Sequence, residues 1–206
     1  MTEKTSEYDA ATNPFEYCDF VPLFCMIDEL LQKKKQVFVA IDGNSAAGKS
    51  SLSMLLKSVY SCNVFSMDDF FLRPCQRTPE RLSEPGGNVD YERFEKEIIG
   101  ALQSGIPFTY QAYDCQSREL SEPRAIAPNR LNVIEGVYCL HPRLFSTYDI
   151  KVFLSLDAAE QRNRLAKRNI SLYDRFMDEW IPMENNYFEV FQIPAKCDFV
   201  FGANSA

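Results

Sequence analysis

The chain has 206 residues, 46% of them hydrophobic and 25% charged, and carries a formal net charge of -7. That balance predicts an ordinary globular domain with a sizeable core and room for a small lid. The surplus of acid disfavours a nucleic acid as the main partner, and no apolar run approaches the roughly 18 residues that would span a membrane.

Residues 1–19 are polar and are expected to be frayed. They lack the basic start and apolar stretch of a secretion signal. Residues 20–34 space Leu23, Ile27, Leu30 and Leu31 along one face of a helix that packs on the core. The run QVFVAI over 36–41, closed by Asp42 and Gly43, reads as a strand buried on both faces, and a second helix should begin near Lys49. Residues 62–67 (CNVFSM) read as another buried strand. An irregular stretch with Pro74, Pro79, Pro85, Gly86 and Gly87 then runs from 68 to 90, long enough to be either functional or disordered.

Further on, a helix over 91–103, a strand near 108–111 and apolar runs at 131–134 and 150–156 continue the alternation. Charged helical segments over 158–190 and a last strand at 198–201 complete it. Strands alternating with helices predict an α/β fold, a three-layer α/β/α arrangement around a mostly parallel sheet. The division expected is an N-terminal segment and helix over 1–35 and a nucleotide-binding domain over 36–206. Seven scattered cysteines without a C-x-x-C pair and a single histidine, His141, make a zinc site unlooked for; they suggest reduced core thiols, as at Cys62 and Cys139, in a cytoplasmic protein.

The strongest signal is Gly43-Asn44-Ser45-Ala46-Ala47-Gly48-Lys49-Ser50, which fits G-x-x-x-x-G-K-[ST] between a predicted strand and a predicted helix. Glycines at both ends let successive N–H groups turn toward phosphate oxygens, and the helix that follows, through Ser51, adds its positive end. Lys49 would neutralise the β and γ oxygens, and Ser50 would bind Mg²⁺. A plain glycine turn capped by Ser50 is the alternative, but a turn has no need of the lysine.

Glu135 ends the apolar run 131–134, at the strand edge where open α/β sheets collect ligands, and is placed to hold Mg²⁺ through water. Its alternative is a cap on the segment after Gly136. Asp68 and Asp69 end the neighbouring strand, and transfer to an alcohol needs a carboxylate to take the hydroxyl proton. Either acid fits that role, and both could instead cap the turn or serve only the metal. Arg164 and Arg168, four apart on one helical face, could close over a transferring phosphate, or simply be solvated. The aromatic stretch over 180–191 reads as core more readily than as pocket.

Taken in order, these motifs resemble the uridine kinase and phosphoribulokinase family of P-loop kinases over about residues 36–202. Residues 64–71 (VFSMDDFF) look like that family's strand ending in Asp-x-Phe-Tyr, which implies Asp68 as general base and leaves Asp69 beside the acceptor. Asn88-Val89-Asp90 is similar to the family's Asn-Phe-Asp element, implying that Asp90 grips acceptor hydroxyls. Tyr113-Asp114 matches the start of a Tyr-Asp element, implying an acceptor pocket lined by Tyr113 and an arginine, here Arg118. The segment is shorter than the family's and lacks its pyrimidine-reading histidine. The arginine lid is represented by Arg162, Arg164 and Arg168, with Tyr173-Asp174-Arg175 in place of an Arg-Gly-Arg-Asp continuation, so Arg175 joins the acceptor set.

The resemblance implies an ATP- and Mg²⁺-dependent kinase acting on a small hydroxylated metabolite, foremost a nucleoside, with pantothenate-like alcohols and sugars open and a homo-oligomer compatible. A nucleotide-binding regulator and an NTPase switch are the other readings; no Asn-Lys-x-Asp guanine-reading element is present.

Overall fold

The computed structural model describes residues 15–168 and 170–202. Along the chain the strands are β1 (Val37–Gly43), β2 (Cys62–Ser66), β3 (Phe108–Tyr110), β4 (Tyr113–Asp114), β5 (Glu119–Leu120), β6 (Arg124–Ile126), β7 (Leu131–Glu135), β8 (Ile150–Ser155) and β9 (Phe199–Gly202). Five of them form one parallel sheet in the order β2-β7-β1-β8-β9. β1 lies between β7, with Ile41 opposite Glu135, and β8, with Gly43 opposite Leu154.

The sheet is covered on both faces, and the period of two in β1 shows how. Val37, Val39 and Ile41 join one apolar cluster, while Phe38 and Ala40 join the other. The first cluster holds Leu23 and Ile27 of α1 (Val21–Lys33) and Leu52 and Leu56 of α2 (Lys49–Val59). The second holds Phe94 and Ile98 of the helical stretch 91–104, with Tyr187 and Phe188 of the helix Ile181–Phe191. Each such side chain contributes about 1.5–3 kcal/mol by burial, so Ile27→Ala would cost about 2–5 kcal/mol.

The structure departs from the expectations in four places. Of the segment 1–19 expected to be frayed, residues 1–14 lie outside the described residues and 15–19 are held on the core, where Phe15 and the adjoining Phe20 meet edge-on and both pack against Phe201 of β9. β2 is an edge strand, half-buried at Asn63, Val64 and Ser66, because among the described residues no strand lies beyond it. β3 lies outside the parallel sheet and pairs antiparallel with β6, while β4 and β5 form a second small ribbon. The helical stretch 91–104 carries a π segment at Glu95–Ile99, which hydrophobic spacing cannot reveal.

The stretch 68–90 is neither disordered nor structureless. It contains the turns Met67–Phe70 and Pro74–Gln76 and the short helix Pro79–Ser83. Arg81 ties it together by donating to the Gly87 and Val89 carbonyls, the Tyr91 hydroxyl and both oxygens of Glu92, with its guanidinium over the Tyr91 ring. Of the seven free cysteines, Cys62 and Cys139 are buried as expected, whereas Cys18, Cys25, Cys75 and Cys115 are exposed. Among the described residues no helix is long and apolar enough to cross a membrane.

Candidate active site

β1 delivers its last residue into a loop that the neighbouring backbone makes tight. A Cβ on Gly43 would stand 2.1 Å from the Leu154 carbonyl oxygen, so only glycine fits there, at φ 138°. Ala46 then takes a left-handed φ of 66° and Gly48 one of 98°, which turns the chain into α2. A left-handed alanine is locally strained, and such strain gathers where backbone N–H groups must face a ligand. Asn44 fixes the loop from outside, its N–H donating to the Leu154 carbonyl and its Oδ1 accepting from Leu156 N–H. Ala47 is buried in the core beneath the loop, and Ser51 is half-buried in the first turn of α2.

The Lys49 ammonium lies folded over the loop, donating to the Gly43 carbonyl at 2.8 Å and to the Asn44 carbonyl at 2.9 Å. Ser50, one residue on, donates from Oγ to Glu135 Oε2 at 3.3 Å. Glu135 stands at the end of β7, 8% exposed. Burial and the nearby Asp68 push its carboxyl upward, while Lys49, Ser66 and Ser50 oppose them. Among the described residues no three His, Cys, Asp or Glu side chains form a ready metal cage. The hydroxyl of Ser50 and the carboxylate of Glu135 are nonetheless hard oxygen donors side by side, the kind Mg²⁺ takes when phosphates and water complete its shell.

Asp68 follows β2 in the turn Met67–Phe70, whose start Ser66 caps by accepting from Asp68 N–H. The side chain is open to solvent, yet the crevice walls raise its carboxyl, aided by Asp69 and opposed by Lys49 and Arg168. Lys49 thus acts on both Asp68 and Glu135. Asp69 faces away into an ion pair with Arg124 at 2.8 Å and accepts from the Tyr110 hydroxyl at 3.0 Å, both partners belonging to the β3–β6 ribbon.

The remaining expected residues are spread around this crevice. Asp90 is buried with both oxygens engaged, capping the next helix through Arg93 N–H and accepting from Gln76 at 2.7 Å. Tyr113 is buried in β4 beside the turn Met67–Phe70. Arg118 is exposed in the β4–β5 turn at a left-handed φ of 60°. Arg164 does not stand free over the loop: it pairs with Glu160 at 2.6 Å and donates to the Ala46 carbonyl. Arg168 is exposed and acts electrostatically on Asp68, and Arg162 is exposed on the same helix, Ala158–Arg168. Arg175 pairs with Glu179 at 2.8 Å and lies near Cys115 of the ribbon side.

Four buried polar residues were given no role in the sequence reading. Asp42 is wholly buried and accepts from Gly43 N–H at 2.8 Å, Leu140 N–H at 3.1 Å and the Tyr187 hydroxyl at 2.9 Å; burial pushes its carboxyl up to about 6. Asn88 has a buried Oδ1 with no donor. Tyr138, at a left-handed φ of 74°, lies against Asn88, close to Glu184 and Asp68. Glu184 is 3% exposed and accepts from the N–H and hydroxyl of Ser45. A signal for Glu184 exists: it shares the apolar helical face of Ile181, Tyr187 and Phe188, where a carboxylate needs a partner.

Comparison with known proteins gives the following. No family model matches the chain. Over 130 residues it is 29% identical to uridine-cytidine kinase C of Dictyostelium discoideum, a match that takes in 61% of this chain and 29% of that one. It is 25% identical over 164 residues to the uridine kinase of Oceanobacillus iheyensis, covering 73% of this chain and 76% of that enzyme. The chain thus spans under a third of the Dictyostelium protein and about three quarters of the bacterial one. Among solved structures, that of a possible uridine kinase from Bacillus stearothermophilus superposes with a TM-score of 0.64 at 21% identity, covering 87% of this chain and 99% of that one, a likeness of fold.

Proposed function

We propose that the chain, like the uridine kinases to which it is similar, transfers the γ-phosphate of ATP to a hydroxyl of a small metabolite, a nucleoside first among the candidates. One observation carries this reading. Lys49 after β1, the Ser50–Glu135 pair at the ends of α2 and β7, and Asp68 after β2 all converge at the carboxyl edge of the sheet. That is where an open parallel sheet binds ligands, at the point where the connection from β1 runs to β2 on one side while that from β7 crosses to β8 on the other.

Each group then has a task. The loop's N–H groups and Lys49 bind and neutralise the phosphate chain, and Ser50 with Glu135 would hold Mg²⁺, which when bound supplies further charge neutralisation at the β and γ oxygens. Asp68 orients the acceptor hydroxyl and takes its proton as the new P–O bond forms and the bond to the leaving diphosphate breaks. Arg168, whose charge is felt at Asp68, is the lid arginine assigned to the transferred group. Arg164 supports the loop from behind. Asn88, with a buried oxygen lacking a donor, supports an acceptor carrying a second hydroxyl or an N–H, because leaving such an oxygen unmet costs about 1–3 kcal/mol. Tyr113, Asp90, Arg118 and Arg175 remain candidates for the acceptor wall, with Asp69 behind it.

The test is a panel of nucleosides, sugars and pantothenate-like alcohols assayed with ATP and Mg²⁺ for ADP release and for the mass of a phosphorylated product. A nucleoside that raises ADP release and gains one phosphate supports the full reading. A different alcohol doing so keeps the kinase and replaces the substrate, and no acceptor-dependent release across the panel points to the regulator or switch.

A further inference from the structure

We infer that Glu184 is a γ-phosphate-sensing positioning residue, whose carboxylate competes with the terminal phosphate of a nucleoside triphosphate for Ser45 and so couples nucleotide binding to the acceptor side of the crevice. The inference rests on reading residues 43–50 as a triphosphate cradle. Lys49, the cation expected to reach the β and γ phosphates, has its ammonium on the Gly43 and Asn44 carbonyls. Ser45 follows directly and is therefore at the γ end of the loop. Its N–H and hydroxyl, two donors suited to an anion, are both given to one carboxylate. That carboxylate is 3% exposed, with Lys49 a compensating charge and Asp42 adding repulsion.

A buried anion at this spot cannot be indifferent to a γ-phosphate. The two share a sign, a pair of donors and a counter-charge, and like charges a few ångströms apart in a desolvated site repel strongly. A diphosphate reaches less far and leaves the contact intact.

The helix that carries Glu184 runs on to the acceptor side. Three residues later Tyr187 donates to Asp42 behind the loop and packs on Gly86, where a Cβ would stand 3.1 Å from its ring. Phe191 then meets His141 edge-on, and His141 stacks on Tyr91 at 4.1 Å, the ring that Arg81 covers. Releasing Glu184 from Ser45 would therefore loosen a helix whose other contacts brace the 81–91 stretch that carries Asn88 and Asp90. Triphosphate, and not diphosphate, would free that wall to adjust to an acceptor.

The test compares affinities of MgATP and MgADP for the wild type and Glu184→Gln, which keeps the shape and a hydrogen-bonding oxygen while removing the charge. The expected result is a gain of about tenfold in ATP affinity with ADP affinity changed by less than about twofold. An equal change in both, or none, overturns the inference and leaves Glu184 a structural tie. Should Glu184→Gln fail to fold, hydrogen exchange on the wild type decides: amides of Ile181–Phe191 should exchange faster with MgATP than with MgADP, and equal exchange overturns it. If the wild type binds neither nucleotide, the cradle reading itself fails, an outcome distinct from an unchanged ATP-to-ADP ratio.

Discussion

Asp68 and Asp69 are neighbours in sequence with opposite fates. Asp68 faces the crevice with Lys49 and Arg168, while Asp69 is tied to Arg124 and Tyr110 on the ribbon. Asp68→Asn should therefore lower kcat by about 10² to 10⁴ and leave nucleotide affinity almost unchanged. Asp69→Asn should cost about 1 kcal/mol of stability, since it weakens a part-exposed ion pair and one hydrogen bond, with a smaller effect on kcat. Steady-state kinetics and thermal unfolding of both variants check this, and a larger kcat loss at Asp69 would reverse the assignment. The cradle was legible at this scale because its spacing is set by backbone chemistry that few other structures need. Asp42, Asn88, Tyr138 and Glu184 were not, because their partners, Tyr187, Leu140 and Ser45 among them, are brought near only by the fold.

At the scale of elements, a single arginine organises what the sequence presented as a gap. Arg81 joins the helix Pro79–Ser83 to the turn at Gly87, the strand-like Val89 and the start of the next helix. Arg81→Ala should lower stability by about 2 kcal/mol, discounted for the half-exposed Glu92, and should raise the acceptor KM more than the ATP KM, because the stretch carries Asn88 and Asp90 and not the cradle. Equal changes in both constants would show that the stretch also shapes the nucleotide side. The same gap shows what periodicity could give. β1, β7 and β8 are apolar on both faces and were readable, and the strand near 108–111 is β3, whereas β4 to β6 are two or three residues each, too short for alternation to register. The edge position of β2 follows from topology, not from CNVFSM, which would read alike in the middle of a sheet.

Across the whole molecule, one cation serves a ring of acids. Lys49 acts electrostatically on Asp42, Asp68, Glu135 and Glu184, which are held above the ordinary carboxylate range by burial at Asp42, Glu135 and Glu184 and by the crevice walls at Asp68. For Asp42 the consequence for stability has a definite sign. Its folded value of about 6 exceeds the ordinary 3.8, so the fold favours the protonated form. The resulting stabilisation is complete below about pH 4 and is lost as the pH rises through about 6. Asp42→Asn does not titrate, and it places an amide against the Leu140 and Tyr187 donors at a fixed cost. Its stability deficit relative to the wild type should be widest near pH 4 and shrink toward pH 7, and a deficit constant across that range would remove Asp42 from the account.

The central claim is that this ring and its lysine serve transfer of a phosphoryl group to an alcohol. γ-Labelled ATP tests it most directly, followed with and without an acceptor for the wild type and Lys49→Ala. Label should appear in the phosphorylated acceptor with the wild type, and that rate should fall by about 10² or more in Lys49→Ala. Label released as inorganic phosphate at a rate indifferent to acceptor, or transfer undiminished in Lys49→Ala, would contradict it.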